Sequence, residues 1–206
     1  MKKLVLFLLL TVGCSALYAQ QSKSFYDTPY ESRNSGSFGL STGILSFGYG
    51  FPNHPTSGYS NGANGTNKVS LGPLYVKYEH GIIRDDISLG GQFAMSNTWI
   101  KYDNASGNYK DHVSAFSFGM LGFYHFNKLI PVKRLDVYAG TGISVRTVVY
   151  TYDANYNDKP GNHSDTNAYI IGSVGARYYL KPGFGVYAEV GFDGMSDANL
   201  GISFRM

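Results

Sequence analysis

Apolar residues recur at every second position along most of this chain, in blocks separated by polar, glycine-rich stretches. The C-terminal block is the cleanest: Leu200, Ile202, Phe204 and Met206 alternate with Gly201, Ser203 and Arg205. Side chains of an extended strand point to opposite faces in turn, so this spacing predicts a strand with one apolar and one small or polar face. Upstream, Phe184, Val186, Ala188, Val190 and Phe192 oppose Gly185, Tyr187, Glu189 and Gly191. Ala168, Ile170, Val174, Ala176, Tyr178 and Leu180 oppose Ser173, Gly175, Arg177 and Tyr179, and Leu135, Val137, Ala139, Ile143 and Val145 oppose Asp136, Gly140, Ser144 and Arg146. Leu74, Val76 and Tyr78 oppose Tyr75, Lys77 and Glu79; Ile87, Leu89, Phe93 and Met95 oppose Ser88, Gly90, Gln92 and Ala94. Phe116, Phe118, Met120, Tyr124 and Phe126 share a parity, although Leu121 and Phe123 blur the polarity of the other face. The first strand, 37–50, begins with Phe38, Leu40 and Ile44 and changes phase at Leu45, Phe47 and Tyr49, as a bulge would cause.

These eight segments predict an all-β fold: an eight-stranded antiparallel up-and-down transmembrane β-barrel over 37–206, preceded by a cleaved signal peptide. Each segment is long enough to cross a membrane at a tilt, which takes about 9–11 residues. Closing the sheet removes the edges that lipid could not hydrogen-bond. No stretch after residue 20 is long and apolar enough for a membrane-spanning helix. The connections separate by length. Those at 51–68, 102–112, 153–165 and 193–198 are mostly long, whereas 81–86, 127–134 and 181–184 are short. Outer-membrane barrels have long external loops and short periplasmic turns.

Composition agrees with this pattern. Charged residues make up only 15%, against about 25% in soluble domains. Gly (26), Tyr (18) and Phe (13) are abundant, and none of them favours a helix. Lys2 and Lys3, the apolar run from Leu4 to Gly13 and the stretch Ser15-Ala16-Leu17-Tyr18-Ala19 form the basic, apolar and small-residue regions of a secretory signal. Cleavage is expected between Ala19 and Gln20. Residues 1–19 are then a signal peptide and 20–36 a flexible periplasmic leader. The lone cysteine, Cys14, leaves with the signal. In a rival reading Leu10-Thr11-Val12-Gly13-Cys14 resembles a lipoprotein signal, with its leucine one place early. The formal charge of +3 falls to +1 without Lys2 and Lys3, and no run of like charges marks a nucleic-acid footprint.

The segment Leu200-Gly201-Ile202-Ser203-Phe204-Arg205-Met206 resembles the closing strand that barrel assembly machinery recognises, although that strand usually ends in an aromatic residue. With the Gly/Tyr/Phe-rich strands over 37–206, the chain resembles the outer-membrane β-barrel domain family, the small OmpA- and OmpX-like barrels often described as porin-family proteins. The resemblance implies fold and location only: an outer-membrane protein with both mature termini periplasmic.

Candidate chemistry is sparse. Lys77, Glu79, Arg146, Arg177 and Glu189 fall on the lumen parity. Eight strands leave a lumen just wide enough for side chains to fill, so these charges are expected to pair as a structural core; a narrow ion path is the functional alternative. Trp99, Tyr102, Tyr109, Tyr150 and Tyr152 lie near the external strand ends, as an interfacial girdle or, alternatively, a sugar-stacking surface. His112 and Ser114 have the His-x-Ser spacing of some outer-membrane lipid A deacylases. The only adjacent carboxylate, Asp111, points to the other face. Asp153, Asn155 and Asn157 mimic a calcium loop, but its sixth and twelfth positions are Asp158 and Ser164. His80, His125 and His163 have no metal-ligand spacing. The expectation is a non-enzymatic barrel without cofactor or metal, with a structural or adhesion-type surface role. The alternatives are a small-solute channel and a lipid-modifying enzyme. Expected partners are outer-membrane lipid and lipopolysaccharide, the assembly machinery, and a surface ligand at loops 51–68 and 153–165.

Overall fold

The computed structural model describes residues 43–52, 65–83, 86–104, 107–127, 129–130, 132–152 and 161–206. Eight strands run in chain order: β1 (Gly43–Pro52), β2 (Gly65–Ile83), β3 (Ile87–Asn104), β4 (Gly107–His125), β5 (Leu135–Thr151), β6 (His163–Lys181), β7 (Phe184–Phe192) and β8 (Ser196–Arg205). Each pairs antiparallel with the next, and β1 pairs with β8, so the sheet is a closed barrel. At one end the two chain segments meet: the Gly43 and Met206 backbones exchange hydrogen bonds of 3.3 and 2.9 Å.

The alternation read from the sequence is the inside–outside alternation of this barrel. Along β7, Gly185, Tyr187 and Glu189 are buried while Val186, Ala188 and Val190 are exposed. Outside, the exposed positions form an apolar belt. Phe118, Met120, Ile143, Ile170 and Val190 are each 61–78% accessible. A continuous apolar surface of this size suits an environment other than water. Inside, apolar layers alternate with polar ones. Leu121 and Phe123, which blur the polarity of β4, are interior and pack with Tyr138 and Ile171. Gly175 lies in that interior because a Cβ there would come within 2.6 Å of the Tyr138 ring and 2.7 Å of Glu189 Cγ.

Several boundaries differ from the sequence expectation. The loop expected over 102–112 is a hairpin. β3 and β4 stay paired up to Asn104↔Gly107, with only 105–106 between them. Likewise β2 begins at Gly65 inside the expected 51–68 loop, and β6 begins at His163 inside 153–165. In β6 the physical reason is visible: from His163 to Ala168 both faces are exposed, so the alternation vanishes while the backbone ladder continues. β2 to β6 therefore have 17–19 residues, whereas β1, β7 and β8 have 9–10. The phase change at Ile44 needs no bulge. β1 and β2 pair continuously from Gly43↔His80 to Tyr49↔Leu74, and Ile44 is simply an apolar residue facing inward, packed with Tyr179. A bulge occurs instead in β2 between Leu71 and Leu74, both of which face out. The expected signal peptide (1–19, with Ala19 and Gln20), the leader (20–36) and residues 37–42 lie outside the described residues.

Candidate functional site

The lumen is filled at three levels. Nearest Gly43 and Met206, Arg177 of β6 places its planar guanidinium between two carboxylates, Nη2 at 2.6 Å from Glu79 Oε1 (β2) and Nη1 at 2.9 Å from Asp136 Oδ2 (β5). It also lies 4.5 Å over the Tyr138 ring. Asp136 Oδ1 contacts His125 Nδ1 of β4 at 2.8 Å, and His125 Nε2 contacts the Ser88 hydroxyl of β3 at 3.0 Å. One residue from each of five strands thus meets at one level, every one of them buried. Buried charges need this degree of pairing, because an unpaired one is very costly away from water. Ser88, His125 and Asp136 have the hydrogen-bond order of a nucleophile relay. Ser88 and His125 have no accessible surface, so this one is a sealed structural chain.

In the middle, Lys77 of β2 forms an ion pair with Glu189 of β7 across the lumen. Asn199 Oδ1 lies 3.4 Å from the ammonium, and the Ser173 hydroxyl donates to Glu189 Oε1 at 3.3 Å. The ammonium also faces the rings of Tyr75 and Tyr187 at 5.0 and 5.8 Å. Two cavities, each no larger than a single water, flank this pair. One is bounded by Ser46, Glu79 and Arg177, the other by Gln92, Asp193 and Asn199.

At the far end the β7–β8 connection folds into the barrel mouth, where the sequence suggested an exposed loop over 193–198. Asp193 Oδ1 accepts from the backbone N–H groups of Met195 and Ser196, both at 2.8 Å, in a self-capping turn. Gly194 takes φ +77°, a conformation that side chains disfavour, and this steers the turn inward. Met195 is fully buried against Tyr75, Ala94, Val113, Ala115 and Val148. Gln92 donates to Asp193 Oδ2 at 3.3 Å, and the Ser144 hydroxyl donates to the Asp193 carbonyl at 3.3 Å. Arg146 donates to the Gly194 carbonyl and the Tyr169 hydroxyl, with its guanidinium 4.6 Å over the Tyr169 ring.

All five sequence-selected charges therefore face the lumen, but in different company. Lys77 and Glu189 meet each other, Glu79 and Arg177 meet each other, and Arg146 secures the mouth turn. Asp136 and His125 complete the lowest level; the polar parity of β5 marks Asp136 in the sequence, whereas no sequence signal marks His125 as its partner. In the closing strand, Leu200, Ile202, Phe204 and Met206 are exposed on the outer belt, and Phe204 meets Phe47 and Phe184 at ring distances of 6.3 and 5.4 Å.

On the outer face near the mouth, Trp99 of β3 stacks on His112 of β4, with ring centroids 5.1 Å apart and 12° between planes. The Ser114 hydroxyl donates to Asn97 Oδ1 at 2.8 Å, and His112 Nε2 lies 3.2 Å from the same oxygen and 3.3 Å from Ser114 Oγ. His112 and Ser114 thus share a face, but their third partner is a neutral carboxamide, and Asp111 is buried on the opposite face. Tyr150 stacks on His163 at 4.7 Å, and Tyr152 is buried beside the same ring. The side chains of Tyr102 and Tyr109, and the calcium-like stretch 153–158, lie outside the described residues.

No family model and no curated protein sequence matches this chain. Among solved structures, the outer membrane protein OprG of Pseudomonas aeruginosa is 13% identical, with 84% of this chain and 99% of that one covered and a TM-score of 0.54. The attachment invasion locus protein Ail of Yersinia pestis, solved with the heparin analogue sucrose octasulfate, is 15% identical over 80% of this chain and 98% of its own (TM-score 0.49). The N-terminal β-barrel domain of Pseudomonas aeruginosa OprF is 16% identical over 81% and 98% (TM-score 0.44). The likeness to OprG shows the fold, that of a small outer-membrane β-barrel.

Proposed function

We propose that this chain is exported with residues 1–19 as its signal, is inserted by the assembly machinery, and resides in the outer membrane with both mature termini periplasmic. There it acts as a closed, non-enzymatic barrel with a structural or surface-interaction role. One observation carries the reading: side chains and the β7–β8 turn fill the lumen at three levels, while five strands run on past the ends of the other three at the opposite end from Gly43 and Met206. Loops on a rigid scaffold concentrate recognition. The connection within 51–68 leads from β1 into the raised β2, and that within 153–165 joins the raised β5 and β6, so a surface ligand would engage them. Lysine and arginine side chains in the lumen serve packing and closure in this reading.

Planar-bilayer recordings of the purified full chain test it. A closed lumen gives no reproducible single-channel conductance. Steady conductance that changes in Glu189→Gln would replace this reading with a small-solute channel. The two water-sized cavities on either side of the Lys77–Glu189 pair are what favours that second reading. Lipid A profiles unaltered by overexpression, in parent and His112→Ala alike, are expected of a barrel without lipid-modifying activity.

A further inference from the structure

Hydrogen-bonding groups form one line along the lumen, from the mouth turn to the end near Gly43 and Met206, with two water-sized cavities set into it. Gln92 and Asp193, bonded at 3.3 Å, border the mouth-side cavity together with Ser173. The Ser173 hydroxyl reaches from that cavity to Glu189 Oε1 at 3.3 Å, and Glu189 borders the second cavity. Glu79 also borders the second cavity, and its Oε2 lies 3.4 Å from the Ser88 hydroxyl. Ser88 leads to His125 Nε2 at 3.0 Å, and His125 Nδ1 leads to Asp136 at 2.8 Å. Ser88 is the second residue of β3, His125 the last of β4 and Asp136 the second of β5, so the line ends where the barrel does.

No open bore joins the two cavities, so a hydrated ion has no way through. A proton moves differently: it exchanges one hydrogen bond for the next and leaves every heavy atom in place. Ser88 and His125 are closed to any substrate, but a proton needs only their hydrogen bonds. Ionisable chains of Asp, Glu and His inside a membrane are the usual material of proton relays. Fixed charge favours a cation as well. Lys77, Arg146 and Arg177 stand against Glu79, Asp136, Glu189 and Asp193, so among these groups one negative charge is in excess. We infer that one water in each cavity completes the line, and that the lumen is a proton path closed to other ions and to solutes. Asp193 takes up the proton at the mouth and passes it to the first water. Ser173 accepts it while giving its own proton to Glu189. The Glu189 carboxyl protonates the second water, which hands on to Glu79. Ser88 accepts from Glu79 while giving its own proton to His125 Nε2, and His125 passes its Nδ1 proton to Asp136, which releases it at the barrel end. Each hand-off breaks one O–H or N–H bond and forms another, with no electron gained or lost; the hydroxyls, the waters and the imidazole protons then return to their first arrangement. The inference rests on the closed-barrel reading above and adds an activity to it.

The full chain, folded into vesicles that hold a trapped pH-sensitive dye, is given an external acid step, with potassium and valinomycin clamping the membrane potential. Faster internal acidification than in protein-free vesicles is expected, slowed in deuterium oxide, while a trapped sodium-sensitive dye stays unchanged. Lys77→Met/Glu189→Leu exchanges the central ion pair for an apolar pair, a change that buried sites tolerate, and is expected to return the rate to the protein-free level. Ser173→Ala removes only the hydroxyl between the first cavity and Glu189; it is expected to lose most of the flux, and it carries the test should the double variant not fold. Parent-like flux in either folded variant overturns the path. Sodium entry alongside protons overturns the proton selectivity and the closed lumen together. Heat-dependent gel mobility separates the premises: a folded barrel with no flux above the protein-free rate overturns the proton path alone, whereas vesicles without a folded, heat-modifiable species count against the membrane barrel itself.

Discussion

Replacing Arg177 by methionine would leave two carboxylates, Glu79 and Asp136, facing each other in a sealed interior. The structure gives the size of the effect. The guanidinium makes contacts of 2.6 and 2.9 Å to these groups, each a charge-assisted hydrogen bond of about 1.5–3 kcal/mol. Breaking a buried ion pair from one side costs about 3–5 kcal/mol, chiefly because the surviving charge is left without compensation. His125, 2.8 Å from Asp136, remains and holds the loss within that range. Arg177→Met is therefore expected to lower unfolding free energy by about 3–5 kcal/mol. Adding Glu79→Gln and Asp136→Asn removes the stranded charges and is expected to return most of the loss. Urea titration in vesicles, followed by the ratio of folded to unfolded bands on unheated gels, measures both. A single variant within about 1 kcal/mol of the parent would show that the network does not hold the core, since surface-grade pairs have that worth. A triple variant as unstable as the single one would refute the argument from stranded charge.

Other substitutions probe the remaining levels. Met195→Ala, which empties the buried anchor of the mouth turn, is expected to cost about 2–5 kcal/mol in the same titration; a loss under 0.5 kcal/mol, the scale of an ordinary surface change, would mean the turn does not pack as described. Gly175→Val forces a side chain against the Tyr138 ring and Glu189, and a loss of about 1–3 kcal/mol is expected; parent-like unfolding would contradict the close approach. Ile143→Arg puts a charge on the exposed belt, with an expected loss of about 2–4 kcal/mol and less heat-modifiable protein in the outer-membrane fraction. Lys181→Gln, at the exposed end of β6, should leave both readings unchanged; equal damage from the two would argue against a lipid-facing belt.

The strands, their number and their inward and outward faces are legible in the sequence because a sheet with lipid on one side and a packed core on the other imposes a period of two on every strand that crosses it. Tyr187 and Glu189 can be placed inside, and Val186 and Val190 outside, from that period alone. It fails where its cause stops. From His163 to Ala168 both faces of β6 are exposed, the alternation disappears, and only the pairing from Tyr150↔His163 to Val145↔Ala168 shows that the strand continues. It also cannot say which interior side chains meet. Lys77 and Glu189 are 112 residues apart and Tyr75 and Ser196 are 121 apart; they touch because barrel closure sets a stagger between distant strands. The inward path of Asp193, Gly194 and Met195 is decided in the same way: a short polar turn reads as exposed until the mouth above it supplies Gln92, Ser144 and Arg146 as partners. Local alternation is a property of each strand and is written in order along the chain, whereas the contents of the lumen depend on closure and so exist only once all eight strands have joined.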